Sequence, residues 1–265
     1  MPAVTLITDW NNYDYYLAAF KGKLISLDVK EPLIEISHQI AAHNIPQVSF
    51  LLQQSYPFFP EGSVHVIAVA SQPEPGCNYL LTCAHGHYFL SADNAIISII
   101  FPDDDDVTYY EIIPQTKTLF PEIDIFAPVA AQLLSGAKPE NIGTQTKKIK
   151  RLNALLPMFY PDSIEGHVLY IDSYGNAISN ITKADFEKIG KGRKFEIHVL
   201  SFHYKINTIS ETYHVEKGEF VALFNQLKLL EVAQAQGSIA TLLNIKVGSR
   251  IIIRFSNDSA NLLMN

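Results

Sequence analysis

VTLITDWNNYDYYLAAFKGKLI, residues 4–25, opens with a β-branched run that stops at Asp9 and continues with Tyr16, Leu17, Phe20 and Leu24 at helical spacing. A strand, a polar turn through Trp10, Asn11 and Asn12, and a helix follow from that pattern. Leu33 to Ile36 reads as a second short strand. Ile45 to Tyr56, with Val48, Leu51, Leu52 and Ser55 on one face, reads as a second helix, stopped by Pro57 and Pro60. VHVIAVA, from Val64 to Ala70, is an apolar run of the kind found in strands covered on both faces. Strand, helix, strand, helix, strand at this spacing predicts an α/β domain with a mostly parallel sheet and helices on both faces. Ligands in such sheets gather at the carboxyl ends of strands, which directs attention to Asp9 and to the loop after Ala70.

Leu80 to Thr82, Tyr88 to Leu90 and Val107 to Ile113 read as further strands, and Phe126 to Leu134 as a helix ended by Gly136. Between Gly136 and Pro161 the pattern loosens into a stretch containing Gly, Pro and Lys, where the interdomain connection is expected. Beyond it, strand-like segments at Val168 to Ile171, Phe195 to Leu200, Tyr204 to Ile206, Phe220 to Phe224 and Arg250 to Phe255 are separated by turn formers. That grammar suggests a smaller β-barrel-like C-terminal domain. The expected domains are residues 1–150 and 160–265.

Composition narrows the function. In 265 residues, 27 acidic groups outweigh 20 basic ones for a net charge of -7, which gives no long-range attraction for nucleic acid or anionic lipid. A small-molecule ligand is the better expectation. The N-terminus runs straight into a strand and no segment has the length of a membrane span, so a cytoplasmic protein is expected. Cys77 and Cys83 read as buried or incidental thiols rather than a disulfide. The run Asp103 to Asp106 reads as a solvated turn, and His85 and His87 as flanking a surface hairpin; neither is read as a metal site.

Several segments together resemble the S-adenosylmethionine hydrolase family, the S-adenosylmethionine hydroxide adenosyltransferases, whose relatives include the fluorinase. They are ITDWNNYDYYLAAFKGKL (Ile7 to Leu24), EISHQIAAHNI (Glu35 to Ile45), FFPEGSVHVIAV (Phe58 to Val69), SADN (Ser91 to Asn94), DIFAPVAAQL (Asp124 to Leu133), GHVLYIDSYGNAISNI (Gly166 to Ile181) and FNQLKLLEVAQAQG (Phe224 to Gly237). Their order, nearly end to end, carries the resemblance. It implies an α/β domain followed by a β-barrel, and homotrimers with an adenosyl ligand between one subunit's N-terminal domain and a neighbour's C-terminal domain. It also implies attack of water on the ribose 5′ carbon of S-adenosylmethionine, releasing adenosine and methionine. That reaction needs the ribose held, bulk solvent excluded and one water aligned behind the carbon–sulfur bond, with no metal or cofactor.

By the same resemblance, Asp9 is the carboxylate that grips the ribose, with Trp10 beside it; a turn or capping role is the plainer alternative. Asp172 would receive the amino group of the methionine moiety, while Tyr174 and Asn176 would read the adenine, against a plain turn between strands. Asn225 and Glu231 fall where the family contacts the amino-acid end, although Gln226, Leu227 and Lys228 depart from its motif. His38 and His65 match histidines for which a structural hydrogen bond is expected.

The family's catalytic aspartate, arginine and histidine have no counterparts. Ala70 stands at the aspartate position, Asn78 or Tyr79 at the arginine position and Pro121 at the histidine position. Glu74 and Glu122 stand nearby and are candidates to orient a water, with a solvent-facing loop as the plainer reading. The sequence therefore points to a hydrolase-like adenosyl-binding protein, with a non-catalytic nucleoside- or S-adenosylmethionine-binding pseudoenzyme as the alternative. An open cleft beside Asp9 would favour either, whereas Tyr79 or Phe120 filling that volume would favour a lapsed pocket.

Overall fold

Strand β1 (Val4–Thr8) is buried along its whole length, because it takes partners on both edges and helices on both faces. Helix α1 (Tyr15–Ser26) leads to β2 (Leu33–Ser37), which pairs with β1 in parallel; helix α2 (Ile45–Ser55) leads to β3 (Val64–Ala68), which takes the other edge, also in parallel. Asn44 caps α2 by accepting from the Gln47 amide at 3.1 Å, and Pro46 sits in the first turn, where its missing N–H costs nothing. Strands β4 (Tyr79–Ala84) and β5 (His87–Ala92) form a hairpin, and His85 and Gly86 between them both have positive φ, the demand of a type I′ turn. Helix α3 (Ile96–Ile100), β6 (Thr108–Ile112), helix α4 (Ala127–Leu134) and β7 (Thr144–Thr146) follow. The computed structural model describes residues 1–72, 78–102, 104–114, 118–152 and 155–256, so Glu74, Cys77 and Asp103 lie outside the described residues.

The resulting sheet has the order β2-β1-β3-β5-β4-β6-β7. Strands β2, β1, β3, β5 and β6 point one way, and β4 and β7 run against them. Side-chain alternation divides the core in two. Leu6, Val66 and Leu90 pack under Phe20 and Leu24 of α1 and Val129, Ala130 and Leu133 of α4. On the opposite face, Ile7, Ile67 and Phe89 pack under Val48 and Leu52 of α2 and Ile96 and Ile97 of α3. The stretch expected to be a connection contributes β7, paired with β6 at the sheet edge. Cys83 is a free thiol whose pKa is pushed up to about 11, by burial first and by Glu140 second, so it stays protonated.

The chain divides into two units, Met1–Ala154 and Leu155–Asn265. In the second, β8 (Met158–Phe159) pairs with β9 (Ser163–Ile171), and β10 (Ala177–Thr182) follows it as a hairpin partner. Helix α5 (Lys183–Gly190), β11 (Phe195–Val199), β12 (Ser201–Ile206), β13 (Phe220–Phe224), β14 (Leu229–Gln234), helix α6 (Ile239–Leu243) and β15 (Arg250–Phe255) complete it. The antiparallel order is β12-β11-β15-β9-β10-β14-β13, and the two terminal strands approach each other, with the Tyr204 and Phe220 rings 5.3 Å apart across the seam. The sheet is thus a nearly closed barrel. Val168, Ile181, Ile197, Leu230, Val232, Ile251 and Ile253 fill it, and Phe186 of α5 packs on Phe195, Phe224 and Phe255. Among the described residues no helix is long and apolar enough to cross a membrane.

Candidate functional site

Leaving β1, the chain covers one face of the first sheet with α1; entering β3, it comes from α2 on the other face. The carboxyl ends of β1 and β3 therefore diverge at a topological switch point, where open α/β sheets form a ligand crevice. A cavity of about 530 Å³ lies at these strand ends, lined by Asp9, Trp10, Tyr16, His43, Ala70, Ser71, Asp93, Asn94, Phe120, Glu122 and Lys150 among others.

Asp9 is the first residue past β1, and its Oδ2 accepts from the His43 amide at 3.0 Å and the Ala70 amide at 3.2 Å. Both donors have positive φ, +60° at His43 and +47° at Ala70, a conformation that disfavours any residue with a Cβ. Two strained turns thus aim their N–H groups at one oxygen. Among the described residues Oδ1 has no hydrogen-bond partner. Asn94 holds the turn after β3, donating from Nδ2 to the Val69 and Ala70 carbonyls at 3.1 Å while its Oδ1 accepts from the Ile96 amide. Thr8, Asp9's neighbour, bonds His38 Nδ1 at 2.9 Å, and His38 Nε2 meets Glu35 at 3.1 Å. A structural chain thus ties the end of β1 to β2.

Trp10, Tyr16 and Phe120 form one aromatic wall, with ring centroids 5.3 to 5.8 Å apart. Phe120 lines the cavity without filling it, and Tyr79 lies in the sheet core against Phe126, 5.6 Å away. Asn78 donates to Glu111, also away from the cavity, and Pro121 opens the helix that follows Phe120.

Glu122 departs from its expected solvent-facing place. It is 2% exposed and accepts a hydrogen bond from the Ser71 hydroxyl. The reason is local geometry: residues 122–126 form a single π-helical turn running into α4, in which the Ala127 amide bonds the Glu122 carbonyl. Such turns concentrate at functional sites. Burial above all, helped by the nearby charge of Asp9, raises the Glu122 pKa, while the Ser71 hydrogen bond pulls against that shift. Neither Ser71 nor the π turn carries a sequence pattern that announces it.

The expected surface hairpin also differs. His87 is buried and its Nδ1 lies 3.1 Å from His65 Nε2, while His65 Nδ1 lies 2.7 Å from the Thr5 hydroxyl. His85 takes the outer place, between the Tyr56 hydroxyl and Asp104 at 2.9 Å each. Among the described residues no cluster could hold a metal ion.

A second cavity, of about 420 Å³, belongs to the barrel unit and is lined by Asp172, Tyr174, Asn176, Tyr213 and the segment 234–237. The turn between β9 and β10 is built by Asp172, whose Oδ1 accepts from the Tyr174 and Asn176 amides at 2.9 Å and whose Oδ2 accepts from Asn176 Nδ2 at 3.1 Å. Its organisation leaves Tyr174 77% exposed. Glu231, by contrast, is 3% exposed and reaches the cavity only through Tyr213, which donates to Oε1 at 2.8 Å, while Asn225 donates to Oε2 at 3.0 Å. Burial first and the Glu231 carboxylate second hold the Tyr213 phenol well above its usual pKa. Tyr213 is a cavity residue that motif reading missed.

Two family models match the chain, described as the SAM hydroxide adenosyltransferase N-terminal domain over residues 4–143 and its C-terminal domain over residues 166–252. The chain is 27% identical to the (R)-S-adenosyl-L-methionine hydrolase of Thermus thermophilus, over 94% of this chain and 98% of that protein. It is 24% identical to the protein of the same name from Methanocaldococcus jannaschii, over 91% and 92%. An uncharacterized conserved protein of Thermotoga maritima has a similar fold, with a TM-score of 0.85 at 22% identity over 95% of this chain and 99% of that one.

Proposed function

The chain belongs to the SAM hydroxide adenosyltransferase family, and from that membership we propose that it binds S-adenosylmethionine and hydrolyses it to adenosine and methionine. The observation that carries this reading is Asp9, fixed by two main-chain donors at the switch point of the sheet and facing a cavity of nucleoside size. With Oδ2 occupied, Oδ1 is the atom left to accept from the ribose hydroxyls. Trp10 and Tyr16 supply flat apolar surface beside it.

In the barrel unit, Tyr174 and Asn176 would take the adenine, and Asp172 the methionine amino group. Asn225 and Glu231 would act indirectly, by holding Tyr213. The resemblance assigns these two half-sites to neighbouring subunits of a homotrimer. An exposed aromatic ring at Tyr174 is consistent with that assignment, since a free subunit gains nothing from leaving it in water. A non-catalytic binding protein is the second reading, favoured by Ala70, Asn78 and Pro121 at the positions where the family carries its catalytic groups.

Calorimetric titration with S-adenosylmethionine and with adenosine, with adenosine release assayed on the same samples, separates the two. Binding that is lost in Asp9→Ala together with release above the buffer control supports hydrolysis. Binding without release supports the pseudoenzyme, and no binding of either ligand overturns both.

A further inference from the structure

We infer that Glu122, held by Ser71, is the base that receives the proton of the attacking water in this chain; the inference rests on the hydrolase reading of the same cavity. Ser71 directly follows Ala70, and Glu122 directly follows Pro121, so the pair stands one residue beyond two of the positions where the family's catalytic groups are lacking. Both line the cavity that Asp9 lines, and their side chains meet there across 51 residues of sequence.

The chemistry is suited to a water. Ser71 donates its only proton to the Glu122 carboxylate, which leaves the Ser71 oxygen with lone pairs to accept one O–H of a water. The carboxylate, with more acceptor sites than Ser71 and its own main chain occupy, accepts the other. A water held by both hydrogens presents its oxygen lone pair outward, towards the ribose. In the step itself the water oxygen forms a bond to C5′ while the C5′–S bond breaks and its electron pair passes to sulfur. The sulfonium becomes the neutral thioether of methionine. The water proton goes to Glu122, which returns it to solvent.

Burial makes the carboxyl a proton-binding group at higher pH than an ordinary glutamate, which is what a base working near neutrality requires. A cationic sulfonium arriving in the same cavity favours the ionised form, so binding of the substrate releases a proton and arms the base. Adenosine, being neutral, has no such effect.

The test uses the full chain, comparing wild type with Glu122→Gln and Ser71→Ala for adenosine release across pH and for calorimetric binding of S-adenosylmethionine in buffers of different ionisation enthalpy. For wild type, kcat/KM rises with pH through the raised pKa of Glu122 in the free protein, kcat rises through a lower one because the bound sulfonium favours the carboxylate, and both then level. Glu122→Gln lowers kcat by about 100-fold or more, removes that pH limb and abolishes the proton release, while S-adenosylmethionine still binds. Ser71→Ala also lowers kcat, by a smaller factor, and moves the limb to higher pH because the carboxylate loses a stabilising donor. Circular dichroism confirms that each variant is folded; should Glu122→Gln fail to fold, the Ser71→Ala profile decides. Adenosine release by Glu122→Gln at the wild-type rate, or a Ser71→Ala profile that superposes on wild type, overturns the inference. Binding by wild type without any release overturns it too but leaves the ligand-binding reading standing, whereas loss of all binding removes both.

Discussion

His65 is pressed from two directions at residue scale. Burial first, and the neighbouring His87 second, lower its pKa to about 3 from an ordinary 6.5. A histidine kept neutral in the fold contributes stability that is fully present above its unfolded pKa and is lost as pH falls through that value towards the folded one. The acid limb of stability should therefore begin near pH 6.5, well before ordinary carboxylates titrate. Thermal denaturation between about pH 3 and pH 7 checks this: His65→Asn, which keeps an acceptor for Thr5, flattens the limb, and it lowers Tm at neutral pH through loss of the stacking on Phe89 at 4.7 Å. A limb of unchanged slope in the variant would refute the assignment. Residues of this kind divide sharply in legibility. Asp9 could be singled out because a strand end is visible in the run before it. Glu122 could be named as the neighbour of a vacated position, but its burial could not be read, since only a π turn, a departure from the period that sequence patterns report, turns it inward.

Elements were legible where their residues alternate or repeat. The segments Phe220–Phe224 and Arg250–Phe255 are strands of those bounds. Ala177–Thr182 and Leu229–Gln234 lay unassigned within motifs, because small and polar residues dilute their pattern although both strands are paired on both edges. Thr144–Thr146 carries no pattern at all; pairing with β6 makes it a strand. The turn joining β9 to β10 gives the prediction at this scale. Gly175 has φ +79°, and a Cβ there would stand 2.0 Å from the Ser238 oxygen, at the cap of α6. Gly175→Ala should cost more than the ~1–2 kcal/mol of a left-handed alanine alone, read from the denaturant midpoint, and should weaken any ligand that depends on Asp172. Pairing it with Ser238→Gly relieves the clash but not the backbone term, so only part of the loss returns. Full recovery would show that the clash alone sets the cost.

For the whole molecule, the α/β domain and the barrel were both readable, because changing periodicity marks the change of architecture. Assembly was not, since no composition signal separates a subunit contact from ordinary surface. The rim of the first cavity nevertheless exposes Leu119 at 93%, and Tyr15, its ring tilted against that of Tyr16 at 4.4 Å, stands nearby. Apolar groups left in water beside a binding site are commonly covered by another molecule. Sedimentation equilibrium should give three times the 29.6 kDa of one chain, and Leu119→Glu should shift the mass towards one chain and weaken S-adenosylmethionine binding with it. A monomeric wild type that binds ligand with full affinity would remove the shared-site arrangement. The placing of β1 between β2 and β3 also has a consequence for biosynthesis. Thr5 and His65, neighbours in the finished sheet, are 60 residues apart in the chain, so a ribosome adding ~5–20 residues per second leaves the apolar β1 without its second partner for several seconds. During that interval the nascent chain offers a strand edge that pairing with β2, on the other side of β1, leaves open.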